Sequence, residues 1–235
     1  MKIIVTAGPS YEPIDQVRRV TNFSTGRLGT ELALYLMDFG HEVTLLLGEL
    51  ATYHCAALDN TGDAGHEQMG KKGLEIVRFT TADDLLALFT KRKGQAGAIF
   101  HCAAVGDFKV ASVRDEQGRP LPYGKIPTNH PKVFIEMQPT VKILPRLRKL
   151  YPESRIIGWK YEVDGNQDTA IKKGREQIKT SATDGCVVNG PAWGKGYGFL
   201  NTTEGLTPAD GSPALFRLLG EEVFHLPDFQ KRAES

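Results

Sequence analysis

The sequence is poor in cysteine, in net charge and in long apolar runs, and each shortage argues against a class of protein. Its three cysteines, Cys55, Cys102 and Cys186, form no CxxC pair, which argues against a disulfide framework or zinc site and for reduced thiols in the cytoplasm. Lys and Arg number 29 against 28 Asp and Glu, a net charge of +1, so nothing favours nucleic acid or an anionic membrane as a partner. No apolar run approaches the roughly 20 residues that cross a bilayer. The opening "MKIIVTAGPS" is not that of a signal peptide.

Motifs of several enzyme classes are missing as well. Short-chain reductases need Tyr-x-x-x-Lys, yet none of the seven tyrosines is followed by a lysine at that spacing. Glu49 stands near the place of a ribose-binding acid, but it follows a glycine and begins a loop. The G-x-S-x-G elbow and the H-E-x-x-H zinc motif are also absent. A nicotinamide enzyme is therefore disfavoured, although an NAD(P)-binding reductase stays as an alternative.

What the sequence does contain is an alternation of apolar strands and amphipathic helices. Strands are predicted over 2–6, 41–48, 73–80, 96–105, 132–137, 155–163 and 184–190. Helices are predicted over 29–40 and 82–92, and near 139–150 and 167–181. Because such alternation is typical of a parallel sheet covered on both faces, we predict a Rossmann-like, doubly wound α/β fold in a single domain over 1–235.

Two long segments break the alternation. Residues 49–72 are polar and glycine-rich and are predicted to be a surface insertion. Residues 106–131 carry several prolines and glycines without periodicity, so we predict a flexible active-site loop there. The tail from Gly198 onward is interpreted as short strands and turns, a small β extension of the sheet.

The first candidate site is the connection between the first strand and the first helix. Gly8 closes the strand, whereas Gly26 and Gly29 open the helix much later than in a dinucleotide-binding loop. Ser24 and the backbone N–H groups near Gly26 would offer an anion site at a helix N-terminus. The alternative is a helix N-cap with a turn glycine. Arg18 and Asn22, which lie in the same connection beside Arg19, favour a ligand because they suit an anion and a polarised carbonyl.

Further polar residues follow later strands. Asp107 is the next-to-last residue of "HCAAVGDF", where it either faces a ligand or caps a turn, and Lys125 in "YGKIPTNHP" either binds phosphate or is simply solvated. Trp159 and Lys160 are neighbours on a predicted strand and therefore point to opposite faces, with core packing the default for the tryptophan. Asn189 is another polar residue at the end of a strand.

Taken together, these motifs resemble those of the phosphopantothenate–cysteine ligase family. The stretch "VTAGPSYEPIDQVRRVTNFSTGRLG" is similar to the family's long and specific opening "TxGxTxEPIDxVRxITNxSSGxxG", and "CAAVGDF" is similar to its "AAVADY". Lys125 with Ile126, then "IIGWKYEV", "CVVNG" and "GFLN", follow in family order, so the resemblance covers residues 1 to about 201.

The resemblance implies an enzyme of coenzyme A biosynthesis. It would join 4′-phosphopantothenate to L-cysteine through an acyl-nucleotidyl intermediate, with CTP or ATP as co-substrate, Mg²⁺ as cofactor and a homodimer as the assembly. Because the chain begins at the ligase part of the fused relatives, no flavin is expected. The catalytic residues would be Asn22 and Lys125, and the phosphopantothenate would contact Arg18, Asn22 and Ala104. The nucleotide would contact Gly8, Ser24, Gly26, Asp107, Lys125, Trp159 and Lys160, and no residue is expected to bind metal directly.

The chain departs from the family pattern in several places. Where relatives usually have a lysine-rich "KIKK", this chain has "GKIPTNHP", and Phe23 replaces a frequent histidine. The "NPD" that opens a later helix is replaced by "QPT" at 138–140. A non-catalytic, nucleotide-binding paralogue therefore stays as a second alternative.

Overall fold

A computed structural model of the chain describes residues 1–55, 67–69, 73–202 and 205–224. The strands in these residues are β1 (Lys2–Ala7), β2 (Tyr11–Pro13), β3 (Arg19–Thr21), β4 (Glu42–Gly48), β5 (Glu67–Met69), β6 (Leu74–Phe79), β7 (Ala98–His101), β8 (Phe108–Asp115), β9 (Val133–Pro139), β10 (Arg155–Tyr161), β11 (Gly185–Asn189), β12 (Tyr197–Asn201) and β13 (Gly205–Ala209). The helices are α1 (Arg27–Asp38), α2 (Ala82–Lys91), α3 (Leu144–Leu150), α4 (Gln167–Ser181) and α5 (Ser212–Phe224).

One large sheet organises the molecule. Within the described residues its strands run in the order β13-β12-β11-β10-β7-β1-β4-β6-β5. The central strands, from β11 to β6, are all parallel, and antiparallel strands close both edges. Helices cover both faces, so the predicted Rossmann-like, doubly wound and mainly parallel fold is confirmed.

Alternate residues of the central strands supply a separate core to each face. On one face, β1 and β7 pack through Val5 and Phe100 against Leu32 of α1 and Leu219 of α5. On the other, Ile99 packs with residues of α2 and α3, and α4 packs nearby on residues of β11. The strands are apolar on both sides because both sides are buried.

Local signals explain where two of the helices begin. The side chain of Thr81 accepts the N–H of Asp84 at the start of α2, and Asn166 accepts the N–H of Thr169 at the start of α4. Both are ordinary N-caps, which satisfy donors that the first turn leaves open. Helix α1 differs, because its N-cap is Gly26 and no side chain of that residue can serve the first turn.

The structure corrects two of the predictions. The predicted strand over 132–137 is present as β9, but it does not join the main sheet; it pairs with β8, so part of the predicted loop over 106–131 is a strand. The tail from Gly198 holds the helix α5 as well as short strands. Its glutamate Glu222 binds Arg155 and accepts a hydrogen bond from Asn201, contacts that connect α5 to β10 and β12.

Of the predicted insertion over 49–72, residues 56–66 and 70–72 lie outside the described residues, and 67–69 form β5 at the sheet edge. Among the helices that the structure describes, none combines the length and the apolar character needed to cross a bilayer.

Candidate functional site

The site is centred where the carboxyl ends of β1 and β7 meet. The backbone just beyond β1 pairs with Ala104, whose N–H donates to the carbonyl of Gly8 at 3.0 Å. The carbonyl of Ala104 accepts the N–H of Ser10 at 3.1 Å and the side-chain amide of Asn22 at 3.0 Å. The structure therefore brings together Gly8, Asn22 and Ala104, three of the residues that the sequence predicts for the site.

A buried polar pair fixes the end of β7 beneath this point. The hydroxyl of Thr6 accepts the N–H of Ala103 at 3.0 Å and lies 2.9 Å from Nδ1 of His101. Burial lowers the pKa of His101 to about 4, so its imidazole is neutral at neutral pH. These two residues, which sequence reasoning missed, hold the backbone that presents Ala104.

The glycines that are distant in sequence are neighbours in space. A Cβ placed on Gly26 would lie 3.3 Å from the backbone of Gly8, and both residues have positive φ angles, which L side chains rarely adopt. A Cβ on Gly29 would lie 2.8 Å from the carbonyl oxygen of Thr6. Glycine is needed here so that the first turn of α1 can pack directly on the end of β1.

The amino end of α1 is open toward this junction. The hydroxyl of Thr25 accepts the N–H of Arg27 at a long 3.3 Å, and no side chain of Gly26 caps the helix. Ser24, one residue earlier, is half-buried, and its N–H donates to the carbonyl of Asn22 at 3.0 Å. Backbone N–H groups and the helix dipole favour an anion at such a terminus.

The residues between Gly8 and Gly26 form a hairpin of β2 and β3. The guanidinium of Arg19 stacks over the ring of Tyr11, with 4.7 Å from Cζ to the ring centroid. Arg18 instead forms an ion pair with Asp15 and donates to the carbonyl of Ile126 at 3.3 and 3.4 Å. Part of the Arg18 guanidinium is thus engaged within the chain, and its side chain is 40% exposed.

Lys125 lies beside the residue that Arg18 contacts. Its side chain is exposed and makes no ion pair with any residue that the structure describes. Because Ile126 is held at the turn between β2 and β3, the structure brings the Lys125 segment to the hairpin that leads to Asn22.

Asp107 is engaged by a lysine that sequence reasoning missed. Its carboxylate forms an ion pair with Lys142, and both side chains are exposed. The backbone of the two segments is also joined, because Thr140 donates its N–H to the carbonyl of Asp107 at 2.9 Å. No signal in the sequence could have shown this pair, since it depends on how β9 returns alongside β8.

Strands β10 and β11 add two buried polar atoms near their carboxyl ends. Nε1 of Trp159 and Oδ1 of Asn189 are buried and have no hydrogen-bond partner in the parts of the chain that are described. Both residues lie on the α1 face of the sheet, since Trp159 is paired in register with Val187, two residues before Asn189. Buried polar atoms that lack a hydrogen-bond partner are rare in folded proteins. A ligand that offers an acceptor to Nε1 and a donor to Oδ1 would satisfy both atoms. Lys160 lies on the opposite face.

Metal-binding side chains are not clustered in the described part of the chain. The described residues hold no group of three or more His, Cys, Asp or Glu that could bind a metal ion. Cys55, Cys102 and Cys186 are free thiols, and burial raises the pKa of Cys186 to about 12, so its thiol stays protonated and inert.

Known proteins that are similar to this chain include proteins named for coenzyme A biosynthesis. The Coenzyme A biosynthesis bifunctional protein CoaBC of Thermococcus kodakarensis is 29% identical over 192 residues, covering 80% of this chain and 41% of that protein. The chain spans about half the length of the curated relatives it matches.

Solved structures share the fold. The DNA/pantothenate metabolism flavoprotein from Streptococcus pneumoniae superposes with a TM-score of 0.78 at 22% identity, covering 95% of this chain and 98% of that chain. A Cab2 mutant in complex with phosphopantothenate-cysteine superposes with a TM-score of 0.70 at 17% identity, covering 100% and 89%. The model of the DNA/pantothenate metabolism flavoprotein C-terminal domain family matches residues 1–212. The chain belongs to this family.

Proposed function

We propose that the protein is a phosphopantothenate–cysteine ligase, which joins 4′-phosphopantothenate and L-cysteine through an acyl-nucleotidyl intermediate. The observation that carries this proposal is the amide of Asn22, which is held on the carbonyl of Ala104 beside the open amino end of α1. In a chain of this family, an amide donor beside a helix N-terminus that favours anions supports this assignment. The name of the curated relative, in coenzyme A biosynthesis, and the ligand of the solved Cab2 complex agree with this reaction.

In the first step, the carboxylate of 4′-phosphopantothenate attacks the α-phosphate of CTP or ATP and releases pyrophosphate. The N–H groups at the start of α1, with Gly8, Ser24 and Gly26, bind the nucleotide phosphates, and Lys125 supplies a mobile cation. Mg²⁺ held with the triphosphate would add its positive charge to that of Lys125. The cations spread the charge that develops on the leaving pyrophosphate.

In the second step, the amine of cysteine attacks the activated carbonyl and releases the nucleoside monophosphate. Asn22 holds the acyl intermediate, because its position on Ala104 is fixed from below by Thr6 and His101. The exposed side of Arg18 and the backbone at Ala104 bind the phosphopantothenate. A donor that is fixed before the reaction stabilises the developing oxyanion without a reorganisation cost.

The nucleoside lies on the α1 face of the sheet, against Trp159. The unpaired Nε1 of Trp159 and Oδ1 of Asn189 supply one donor and one acceptor there. Asp107, which follows β7 and pairs with Lys142, also contacts the nucleotide. Lys160, which lies on the opposite face, acts only through its charge near the strand end.

The active form is a homodimer. The hairpin of β8 and β9 exposes large apolar side chains to solvent, with Val133, Ile135 and Met137 on one face of β9 and Phe134 on the other. A monomer rarely leaves such a group uncovered, and a second copy of the hairpin would bury it. The free thiols are those of a cytoplasmic protein.

Pyrophosphate release tests the proposal directly. The purified protein is incubated with 4′-phosphopantothenate, Mg²⁺ and either CTP or ATP, with and without cysteine. We expect release of about one pyrophosphate per site without cysteine and continuous release with it. Absence of release with both nucleotides would overturn the ligase assignment, and saturable binding of NADPH instead would favour the reductase.

A further inference from the structure

The buried carboxylate of Asp15 joins two segments that are far apart in sequence. Its Oδ1 accepts the N–H groups of Val17 at 2.8 Å and Arg18 at 2.7 Å, which shapes the turn between β2 and β3. Its Oδ2 binds the guanidinium of Arg18 and accepts the N–H of Ile126 at 3.1 Å. One oxygen thus serves the local turn, and the other serves the distant segment.

Both backbone polar groups of Ile126 are captured by this ion pair. Asp15 takes its N–H, and Arg18 donates to its carbonyl at 3.3 and 3.4 Å. The side chain of Ile126 is 6% exposed, so the residue is also anchored by burial. A second bond, from the N–H of Gln16 to the carbonyl of Tyr123 at 3.2 Å, attaches the same segment three residues earlier. Lys125 lies between these two attachment points.

The same turn also determines where Asn22 lies. Strand β3 follows the turn and ends at Thr21, whose hydroxyl donates to the carbonyl of Ser10 at 2.9 Å, and Asn22 comes next. The turn that Asp15 organises is therefore the structural link between Asn22 and Lys125. The two residues with proposed roles in the chemistry are otherwise a hundred positions apart in the chain.

Asp15 and Arg18 together form a clamp on the backbone of Ile126, and the carboxylate of this clamp is ionised at neutral pH. Burial alone would raise the pKa of Asp15, but hydrogen bonds from the N–H groups of Val17, Ile126 and Arg18, and from the Arg18 guanidinium, outweigh it and lower the pKa to about 2. An ionised acceptor makes stronger hydrogen bonds than a neutral one, so the attachment of Ile126 is firm at neutral pH.

We propose that Asp15 is a positioning residue, which fixes the Lys125 segment relative to Asn22 so that the ammonium of Lys125 meets the triphosphate during nucleotidyl transfer. The inference rests on the proposed ligase function, and it adds a role for a residue to which the proposed chemistry gives none. A displacement of about 1 Å at a reacting group is enough to cost about a hundredfold in rate.

The variant Asp15→Asn tests the two carboxylate oxygens separately, because it keeps one acceptor and removes the other. Its carbonyl can take the place of Oδ1 and keep the local turn, whereas its NH₂ group cannot accept from Ile126 or Arg18. Asp115→Asn is the matched control, because Asp115 is 2% exposed, accepts the N–H groups of Gln117 and Arg119, and pairs with the Arg119 guanidinium, all within its own turn. If Asp15→Asn does not fold, Asp15→Ser supplies a hydroxyl for the turn and nothing for Ile126.

Hydrogen exchange of a peptide spanning 122–127 gives the first readout. Since Pro122 and Pro127 carry no amide hydrogen, the signal comes from the residues between them. We expect exchange there to become about tenfold faster or more in Asp15→Asn and to stay unchanged in Asp115→Asn. Unchanged exchange in a folded Asp15 variant would overturn the clamp.

Pyrophosphate release gives the second readout, in the wild-type and Lys125→Ala backgrounds. We expect Asp15→Asn to lower kcat about 10- to 100-fold with the nucleotide KM within about threefold, and to lower kcat less than about twofold once Lys125 is absent. An equal loss in both backgrounds would overturn the positioning role. A wild-type protein that releases no pyrophosphate would overturn the ligase function, while the exchange experiment would still decide on the clamp.

Discussion

The side-chain amide of Asn22 donates a 3.0 Å hydrogen bond to the carbonyl oxygen of Ala104, 82 positions further along the chain. The same oxygen accepts the N–H of Ser10, so the crossover after β7 and the hairpin after β1 meet at one atom. The meeting point lies at the carboxyl ends of two adjacent parallel strands, which is where doubly wound folds bind ligands.

Asn22→Asp is expected to uncouple the two proposed steps. Aspartate has no N–H to donate, and its charge is repelled by the carbonyl of Ala104, so the acyl intermediate loses its fixed donor. We expect a burst of about one pyrophosphate per site, followed by turnover about a hundredfold slower or more, as for the loss of an oxyanion donor. Quenched-flow measurement of pyrophosphate and product checks this.

The matched control for this variant is Asn166→Asp. Asn166 caps α4 and is not among the residues assigned to the site, and aspartate is as good an N-cap as asparagine. Both steps should keep their rates in the control. Normal steady-state turnover of Asn22→Asp would remove Asn22 from the mechanism.

The buried His101 is expected to make stability depend on pH. Because burial lowers its folded pKa to about 4 from 6.5, the unfolded chain binds more protons between those values. The free energy of unfolding should therefore fall by roughly 1.4 kcal/mol per pH unit as pH decreases from 6.5 toward 4, and be unaffected by this residue above that window.

Urea denaturation of wild type and His101→Asn at several pH values measures this contribution. Asparagine can keep a polar contact to Thr6 but does not titrate, so its unfolding free energy should lack this slope. His41, whose pKa is also lowered by burial, is present in both proteins and cancels in the comparison. Parallel pH curves for the two proteins would show that His101 is not buried as a neutral group.

How much of the molecule the sequence predicts depends on the range of the interactions involved. The parallel strands and most helices follow from local apolar patterns, and Gly8, Gly26 and Asn22 are recognisable because their motif is continuous. Helix α5 was missed because its start lies in "DGSP", after a tail that reads as turns. The exposed strand β9 was placed in the wrong sheet, since a strand pattern says nothing about which strand is its partner.

In the candidate site, too, the contacts between distant segments are those that the sequence does not predict. The Asp107–Lys142 pair and the Asp15–Ile126 hydrogen bond join segments 35 and 111 positions apart, and neither has a local pattern. The charge of Arg18 and the family resemblance predict that it binds substrate, and the structure adds that part of its guanidinium holds Asp15 and Ile126. The residue types therefore indicate which side chains could bind a charged ligand. Only the fold shows which of these side chains already have a partner within the chain.

Gly29→Ala is expected to disturb the anion site through packing. The added Cβ would lie 2.7 Å from the Cβ of Ala7 and 2.8 Å from the carbonyl oxygen of Thr6, closer than real contacts allow. We expect a loss of about 1–3 kcal/mol in unfolding free energy and a higher KM for the nucleotide, since the first turn of α1 must move away from β1. Gly211→Ala, whose Cβ would lie 3.8 Å from Pro213, is the control and should change neither value.

Trp159→Phe tests whether the buried indole N–H serves the nucleotide. The substitution keeps an aromatic ring on the α1 face of the sheet and removes the N–H donor that has no partner among the described residues, together with part of the ring volume. If the nucleotide supplies the missing acceptor, the variant loses one hydrogen bond, and its KM for CTP or ATP should rise about 3- to 10-fold with kcat nearly unchanged. Trp193→Phe is the control, because Trp193 is 7% exposed and packs over Gly198. An unchanged nucleotide KM in Trp159→Phe would mean that the indole N–H meets no nucleotide atom, and Asn189 would then have to select the base without it.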